Sequence, residues 1–179
     1  MEVIIRPRGV LEINDARIIF KNFSGEEGPF NRAGERSFSL IIAGGTLDDG
    51  RTIRDLDAQG MAEALMNEVN EYGAGWNIKI KPPREDGEEP FMHLKVKVST
   101  KNRVPAIFVK SAGNVRRLDE HTMGMLDDIA IRSVNLDIRP FDGEMRGEGF
   151  RAAYLDSIEV IQEIDRFTAR YADEEFPEE

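Results

Sequence analysis

Apolar residues along this chain recur mostly at a two-residue period, in short runs separated by glycine, proline and acidic residues. Leu11 to Phe23 is rich in β formers, with Ile13, Ile18, Ile19, Phe20 and Phe23. Ser24 to Gly34 reads as a loop, and Arg36 to Ala43 resumes a strand that Gly44-Gly45 ends. Over residues 55–72 the spacing turns helical: Leu56, Met61, Leu65, Val69 and Tyr72 alternate with Glu63, Glu68 and Glu71 until Gly73 and Gly75. Trp76, Ile78 and Ile80 then point one way, with Asn77, Lys79 and Lys81 the other. In Phe91 to Ser99, Met92, Leu94, Val96 and Val98 are the core side, and Phe91, His93, Lys95 and Lys97 the outer side.

Pro105 to Lys110 is a further strand. Leu118 to Asp127 reads as a short helix with Asp119 as N-cap and Leu118 and Met123 as a hydrophobic staple. In Ile129 to Arg139 the apolar parity changes between Ile131 and Val134, as a one-residue bulge would cause. Pro140 to Gly143 reads as a turn, and Phe150 to Ile164 as a long returning strand. The expected fold is mainly β, an antiparallel sheet closed or nearly closed into a small barrel, with one or two short helices. Residues 1–166 form one domain in this reading, and 167–179 a flexible acidic C-terminal tail.

Composition narrows the chemistry. The 179 residues include no cysteine, which removes disulfides, thiolate metal sites and cysteine nucleophiles and fits a reducing cytoplasm. No apolar run approaches the ~20 residues of a membrane-spanning helix. The N-terminal segment has arginines but no apolar stretch of signal-peptide length. The net charge of -10 argues at first against nucleic acid, but its distribution matters more. Residues 44–75, 118–128 and 171–179 carry -5, -4 and -5, whereas Phe91 to Arg117 holds seven bases and no acid. A basic middle lies between acidic flanks.

Lys79 and Lys81 share one strand face, and Lys95 and Lys97 another beside Phe91, with Lys101, Arg103 and Lys110 following. Single-stranded nucleic acid is held by such a pairing of cations for phosphates with aromatic faces for bases. Lysines also guard ordinary exposed strands, so the pattern has a plain solvated-face reading as well. Around the 24–34 loop, Phe20, Phe23, Phe30 and Phe38 alternate with Lys21, Asn22, Arg32 and Arg36. Phe20 and Phe38 read as core, Phe23 and Phe30 as stacking candidates. His93 and His121 stand alone, outside any ligand-spaced motif. Asp119, Glu120, Asp127 and Asp128 would be the carboxylates of a metal-dependent nuclease, or else helix caps and solvated surface.

Several stretches together resemble a family of single-stranded-DNA-binding proteins encoded by bacteriophages. They are Ala16 to Gly25, Phe30 to Phe38, Gly75 to Lys79, Lys95 to Val98 and Leu136 to Phe141, followed by the aromatic-acidic tail. The resemblance implies an OB-like barrel that coats single strands, with possible homo-oligomers and no enzymatic activity or cofactor. It also implies replication or recombination proteins as partners of the tail, through Asp173, Glu174, Glu175 and Phe176. The candidate DNA-binding residues near the first two stretches are Arg17, Lys21, Phe23, Phe30, Arg32 and Arg36. Those of the basic middle are Lys79, Lys81, Phe91, Lys95, Lys97, Lys101 and Arg103, and Arg139 joins them from the last stretch. An acidic interaction protein that mimics DNA is the competing reading, but it would have no use for an acid-free basic segment.

Overall fold

The alternation seen in the sequence is realised as hydrogen-bonded strands in the computed structural model, which describes residues 1–88, 90–164, 167 and 170. The first half contains β1 (Glu2–Ile5), β2 (Leu11–Ala16), β3 (Ile18–Asn22), β4 (Arg36–Ile41), β5 (Gly45–Asp48), β6 (Ile53–Leu56) and the helix α1 (Ala58–Met66). The second half contains β7 (Ile78–Lys81), β8 (Phe91–Val98), β9 (Ala106–Ser111), β10 (Asn114–Leu118), β11 (Ile131–Met145) and β12 (Glu148–Gln162). One sheet takes in all of these strands in the order β3-β4-β8-β12-β11-β2-β1-β5-β6, with β7 on β8, β9 on β12 and β10 on β9.

Two parts of the expected barrel need correction. The strand path is open, ending at β3 and β6. The sheet is also mixed, because β1–β5, β12–β8 and β12–β9 pair in parallel. The parallel pairs on β12 have a simple origin. β8 and β9 follow one another along the same edge of β12, at Ala153–Tyr154 and then from Ser157 to Ile161. A chain that continues in one direction past the 99–105 excursion must pair parallel both times. Edges are protected by means other than closure. Along β3, the Lys21 ammonium donates to the carbonyls of Leu126 and Ile129 at 2.9 and 2.7 Å. The Asp127 carboxylate accepts from the backbone N–H of Phe23 and Ser24 at 2.7 and 3.0 Å. Along β6, Ile53, Arg54 and Asp55 are exposed, so charge guards that edge.

Local corrections follow the same physical logic. The helix stops at Met66 rather than Tyr72, leaving Val69 and Tyr72 exposed. Asn70 supplies the competing interactions: its Oδ1 accepts from Tyr72 N and Ala74 N, and its Nδ2 donates to Asp142 and to the carbonyl of Phe150. The second expected helix is only a 3₁₀ segment, Met123–Asp127. Asp119 still organises its approach, accepting from His121 N and Thr122 N, and Leu118 and Met123 are buried. Pro140 to Gly143 is not a turn: β11 runs through it and reverses at Arg146-Gly147, whose φ of 53° and 80° suit a two-residue hairpin. Proline is tolerated there because β2 pairs with β11 only as far as Ile138, leaving the other edge of Pro140 without a strand. The register shift between Ile131 and Ser133 is the expected bulge, and β10 is a strand beyond those expected.

The core is continuous across the sheet's inner side. It includes Leu11 and Ile13, Phe38 and Leu40, Leu94 and Val96, and Ile138, Leu155 and Ile158, with Met61 and Leu65 from α1. Ile80 keeps the expected parity, opposite the buried Met92, but is left uncovered and exposed. Phe23 lies in this core at 0% exposure, its ring stacked 5.4 Å from that of Phe38. Phe23→Ala should therefore cost about 3–5 kcal/mol of folding stability. Denaturant unfolding checks this, and a loss below about 1 kcal/mol would remove Phe23 from the core.

Candidate nucleic-acid interface

β8 sets the geometry of the outer face. Met92, Leu94, Val96 and Val98 are buried, so Lys95 and Lys97 must project outward. Register fixes their neighbours. On β4, Ser39 lies opposite Lys95 and Ser37 opposite Lys97. On β7, Lys79 lies opposite His93 and Lys81 opposite Phe91. On β12, Tyr154 lies opposite Lys97, and Arg139 of β11 lies opposite Tyr154. Small serines on β4 leave the lysines standing above the sheet. Lys79, Lys81, Lys95 and Lys97 are all exposed and form no ion pair with another described residue.

Aromatic rings and cations meet at two places on this face. At one, the Lys81 ammonium sits 4.6 Å from the centroid of the Phe20 ring. Phe20 meets His93 edge-on at 5.8 Å, and Phe91 stacks on His93 at 5.5 Å. At the other, Lys97 and Arg139 lie 5.8 and 5.2 Å from the ring centroid of Tyr154, with Phe141 edge-on at 5.9 Å. A groove of about 470 Å³ runs beside the second cluster, lined by Asn31, Arg36, Lys95, Lys97, Lys101 and Tyr154 among others, with Glu35 as an acid on its wall.

The remaining sequence candidates divide between this face and other tasks. Phe30 is 98% exposed at the tip of the 24–35 loop, and Arg32 is exposed beside it. That loop is tightly organised, with the Asn31 amide donating to the carbonyls of Glu26, Arg32 and Glu35. Arg36 is half-buried, and its Nη1 is buried without a partner. Arg17 is exposed at the corner between β2 and β3. Two candidates are corrected: Phe23 is core and cannot stack on a base, and Lys21 is tethered to the 3₁₀ segment. Arg103 is exposed and pairs with Asp156 on β12. Asp173, Glu174, Glu175 and Phe176 lie outside the described residues. Of the nuclease carboxylates, Asp119 and Asp127 hold backbone N–H groups. No cluster of three or more metal-ligating side chains occurs among the described residues.

Sequence reasoning missed Phe20, Phe141 and Tyr154. Phe20 hides in the apolar run Ile18-Ile19-Phe20, yet it is 53% exposed. Its φ of +55° and the register shift between Ile19 and Asn22 mark a bulge that turns the ring out. Phe141 was obscured by the false turn. Tyr154 had a usable signal, a tyrosine between the core positions Ala153 and Leu155. His93 departs the other way. Expected to face water, it is 6% exposed, and its Nδ1 is 3.1 Å from the Ser39 hydroxyl. Burial, with Lys81 and Lys79 nearby, lowers its pKa below the ordinary histidine value.

Over residues 2–179 the chain matches the family described as "Putative phage ssDNA-binding domain". The chain belongs to this family of phage single-stranded-DNA-binding domains. Among solved structures it is similar to the single-stranded DNA-binding protein from bacteriophage Enc34. Identity is 14% with a TM-score of 0.52, covering 91% of this chain and 86% of that one. A C-terminal truncation of the Enc34 protein gives 12% identity and a TM-score of 0.49, covering 90% of each chain. The Enc34 protein in complex with ssDNA gives 12% and 0.48, covering 91% of this chain and 92% of that one. At such identities the likeness is one of fold. No curated protein matches the chain. Among the described residues no helix is long and apolar enough to cross a membrane.

In this family member one ion pair braces the hairpin that presents Phe141 and Tyr154. The Arg151 Nε donates to Asp142 at 2.9 Å, its Nη1 donates to the carbonyl of Glu68 at 2.7 Å, and the guanidinium lies over Trp76. Arg151, and secondarily Asn70, hold the Asp142 carboxyl below the ordinary carboxylate range. A depressed carboxylate stabilises the fold above its unfolded value, and that stability is lost as pH falls through the folded value. Asp142→Asn should therefore cost about 1–3 kcal/mol near neutrality, and the gap to the parent should narrow below about pH 4. Denaturation at several pH values reads this out, and a gap independent of pH would contradict it.

Proposed function

We propose that the β8-centred face binds single-stranded DNA with little sequence preference and protects it during phage DNA replication or recombination. The observation that carries this reading is the Tyr154 ring flanked by Lys97 and Arg139 at the edge of the Lys95–Lys101 groove. Cations along the groove serve phosphates, and exposed rings offer faces to unpaired bases of any identity. In a duplex those base faces are already stacked, so the single strand gains more from this surface. The family assignment supports the same reading.

Two finer points belong to the proposal. The first is an OB-like curl. β2 and β3 are separated only by Arg17, yet they occupy different places on the strand path, one beside β11 and the other beside β4. One bent run touching both flanks of the sheet is the economical way to wrap it around the core. The second is regulation by the tail, whose five acids and no bases over residues 171–179 would compete with DNA for the cations. Its Phe176 and neighbouring acids would dock replication or recombination proteins. Successive copies coating one strand in the host cytoplasm complete the picture.

Affinity for oligo-dT should exceed that for duplex of equal length and should fall steeply with salt, as counterion release requires. Lys79→Ala combined with Lys97→Ala should weaken binding to all sequences alike and lower the salt slope by about 1.4. Phe30→Ala should cost about 1–3 kcal/mol with little change of slope, since stacking is not ionic. Gel-shift titrations at several salt concentrations measure all of this. Equal affinity for duplex, or an unchanged double lysine variant, would reject the interface. Removing residues 171–179 should tighten oligo-dT binding, most at low salt where screening is weak. A truncation that binds no more tightly at any salt would leave the tail without this role.

A further inference from the structure

His93 occupies an unusual place for a histidine. It lies under the proposed interface, closed off from water, with Nδ1 on the Ser39 hydroxyl and Nε2 buried without any hydrogen-bond partner. A buried polar atom left unpaired is costly and uncommon, which points to a partner absent from the free protein. Its surroundings are known from every strand that packs on it. β7 brings Lys79, directly opposite in register, and Lys81. β4 brings Ser39 and Ile41, and β3 brings the Phe20 ring. Its own strand contributes Phe91, stacked on the imidazole, and Lys95 two residues on. The charges that act on the ring are those of Lys81 and Lys79, both positive.

In the free protein these surroundings keep the imidazole neutral, through desolvation and two nearby ammonium groups. A phosphodiester arriving over Lys79 and Lys81 reverses the balance. It offsets both positive charges, brings an anion close to the ring, and supplies an acceptor toward which Nε2–H can be directed. The stacked Phe91 ring then presents its face to an imidazolium, a contact that favours the cation. We propose that His93 is the proton-linked residue of the interface: binding a single strand across Lys79 and Lys81 draws one proton from solvent onto its ring. This rests on the DNA-binding reading above, and it adds a residue that acts through charge state rather than through stacking or a permanent cation. Linkage is reciprocal, so whatever factor DNA adds to proton affinity, the proton adds to DNA affinity.

The chain has two histidines, so its imidazole signals can be followed individually by NMR in the full protein. His121 is the internal reference, because it is solvent-exposed and lies on the segment after β10, outside the strands of the proposed interface. Titrating the free chain and its oligo-dT complex should raise the His93 midpoint by about one pH unit or more on DNA binding, as an opposite charge at close range does. The His121 midpoint should stay in place. Oligo-dT affinity of the parent should then rise from pH 8 to pH 5.5, toward a limit of about tenfold per unit of midpoint shift, and His93→Gln should lose that dependence. If the oligonucleotide binds while the His93 midpoint stays still or falls, the inference is overturned and the interface stands. If it does not bind at any pH, both readings fall. The wild-type titration decides the matter even if His93→Gln does not fold.

Discussion

A one-residue slip in the register of β8 would bury Lys95 and Lys97 and expose Leu94 and Val96. The rest of the structure depends on that slip not occurring. β8 is held on one edge by β4 along most of its length and on the other by β7 and then β12. Its inward residues are 0–5% exposed. With the inner side fixed by hydrophobic burial and both edges fixed by hydrogen bonds, the outward lysines have a single available geometry. Their neighbours on β7, β4 and β12 inherit it through register. The cationic face is thus a consequence of core packing on the other side of the same strand.

The aromatic part of the face is fixed differently. Tyr154 and Phe141 come from the long β11–β12 hairpin, which Arg151 ties to the loop after α1 through Asp142 and Glu68. Phe20 comes from a bulge at the end of the sheet path, where backbone strain replaces packing as the orienting force. Phe30 comes from a loop whose shape is maintained by asparagine side chains bonded to backbone carbonyls. Ring positions therefore rest on several local devices, whereas the lysines share one.

This difference explains what could be read from the chain alone. The lysine alternation on β7 and β8 was legible because a period of two is both the sequence signal and the structural fact. The bulge after Ile131 was legible for the same reason, as a break in parity. Phe20 and Phe23 were assigned the wrong way round because the bulge between Ile19 and Asn22 inverts parity inside an unbroken apolar run. Lys21 was misplaced because its partners are carbonyls about 105 residues away, which no local pattern announces. The Pro-Phe-Asp-Gly segment imitated a turn, and only the absence of a strand on the far side of β11 allows proline there. Closure of the sheet was also beyond local reading, since it depends on which strand edges the 3₁₀ segment and surface charges protect.

Covalent modification of lysines, read by mass spectrometry with and without saturating oligo-dT, tests most directly whether the face built around β8 receives the single strand. Lys79, Lys81, Lys95 and Lys97 should be protected by the oligonucleotide. Lys110, exposed on the β9–β10 hairpin, should react as before. Undiminished reaction of Lys95 and Lys97 in a saturated complex, or protection confined to Lys110, would contradict the account.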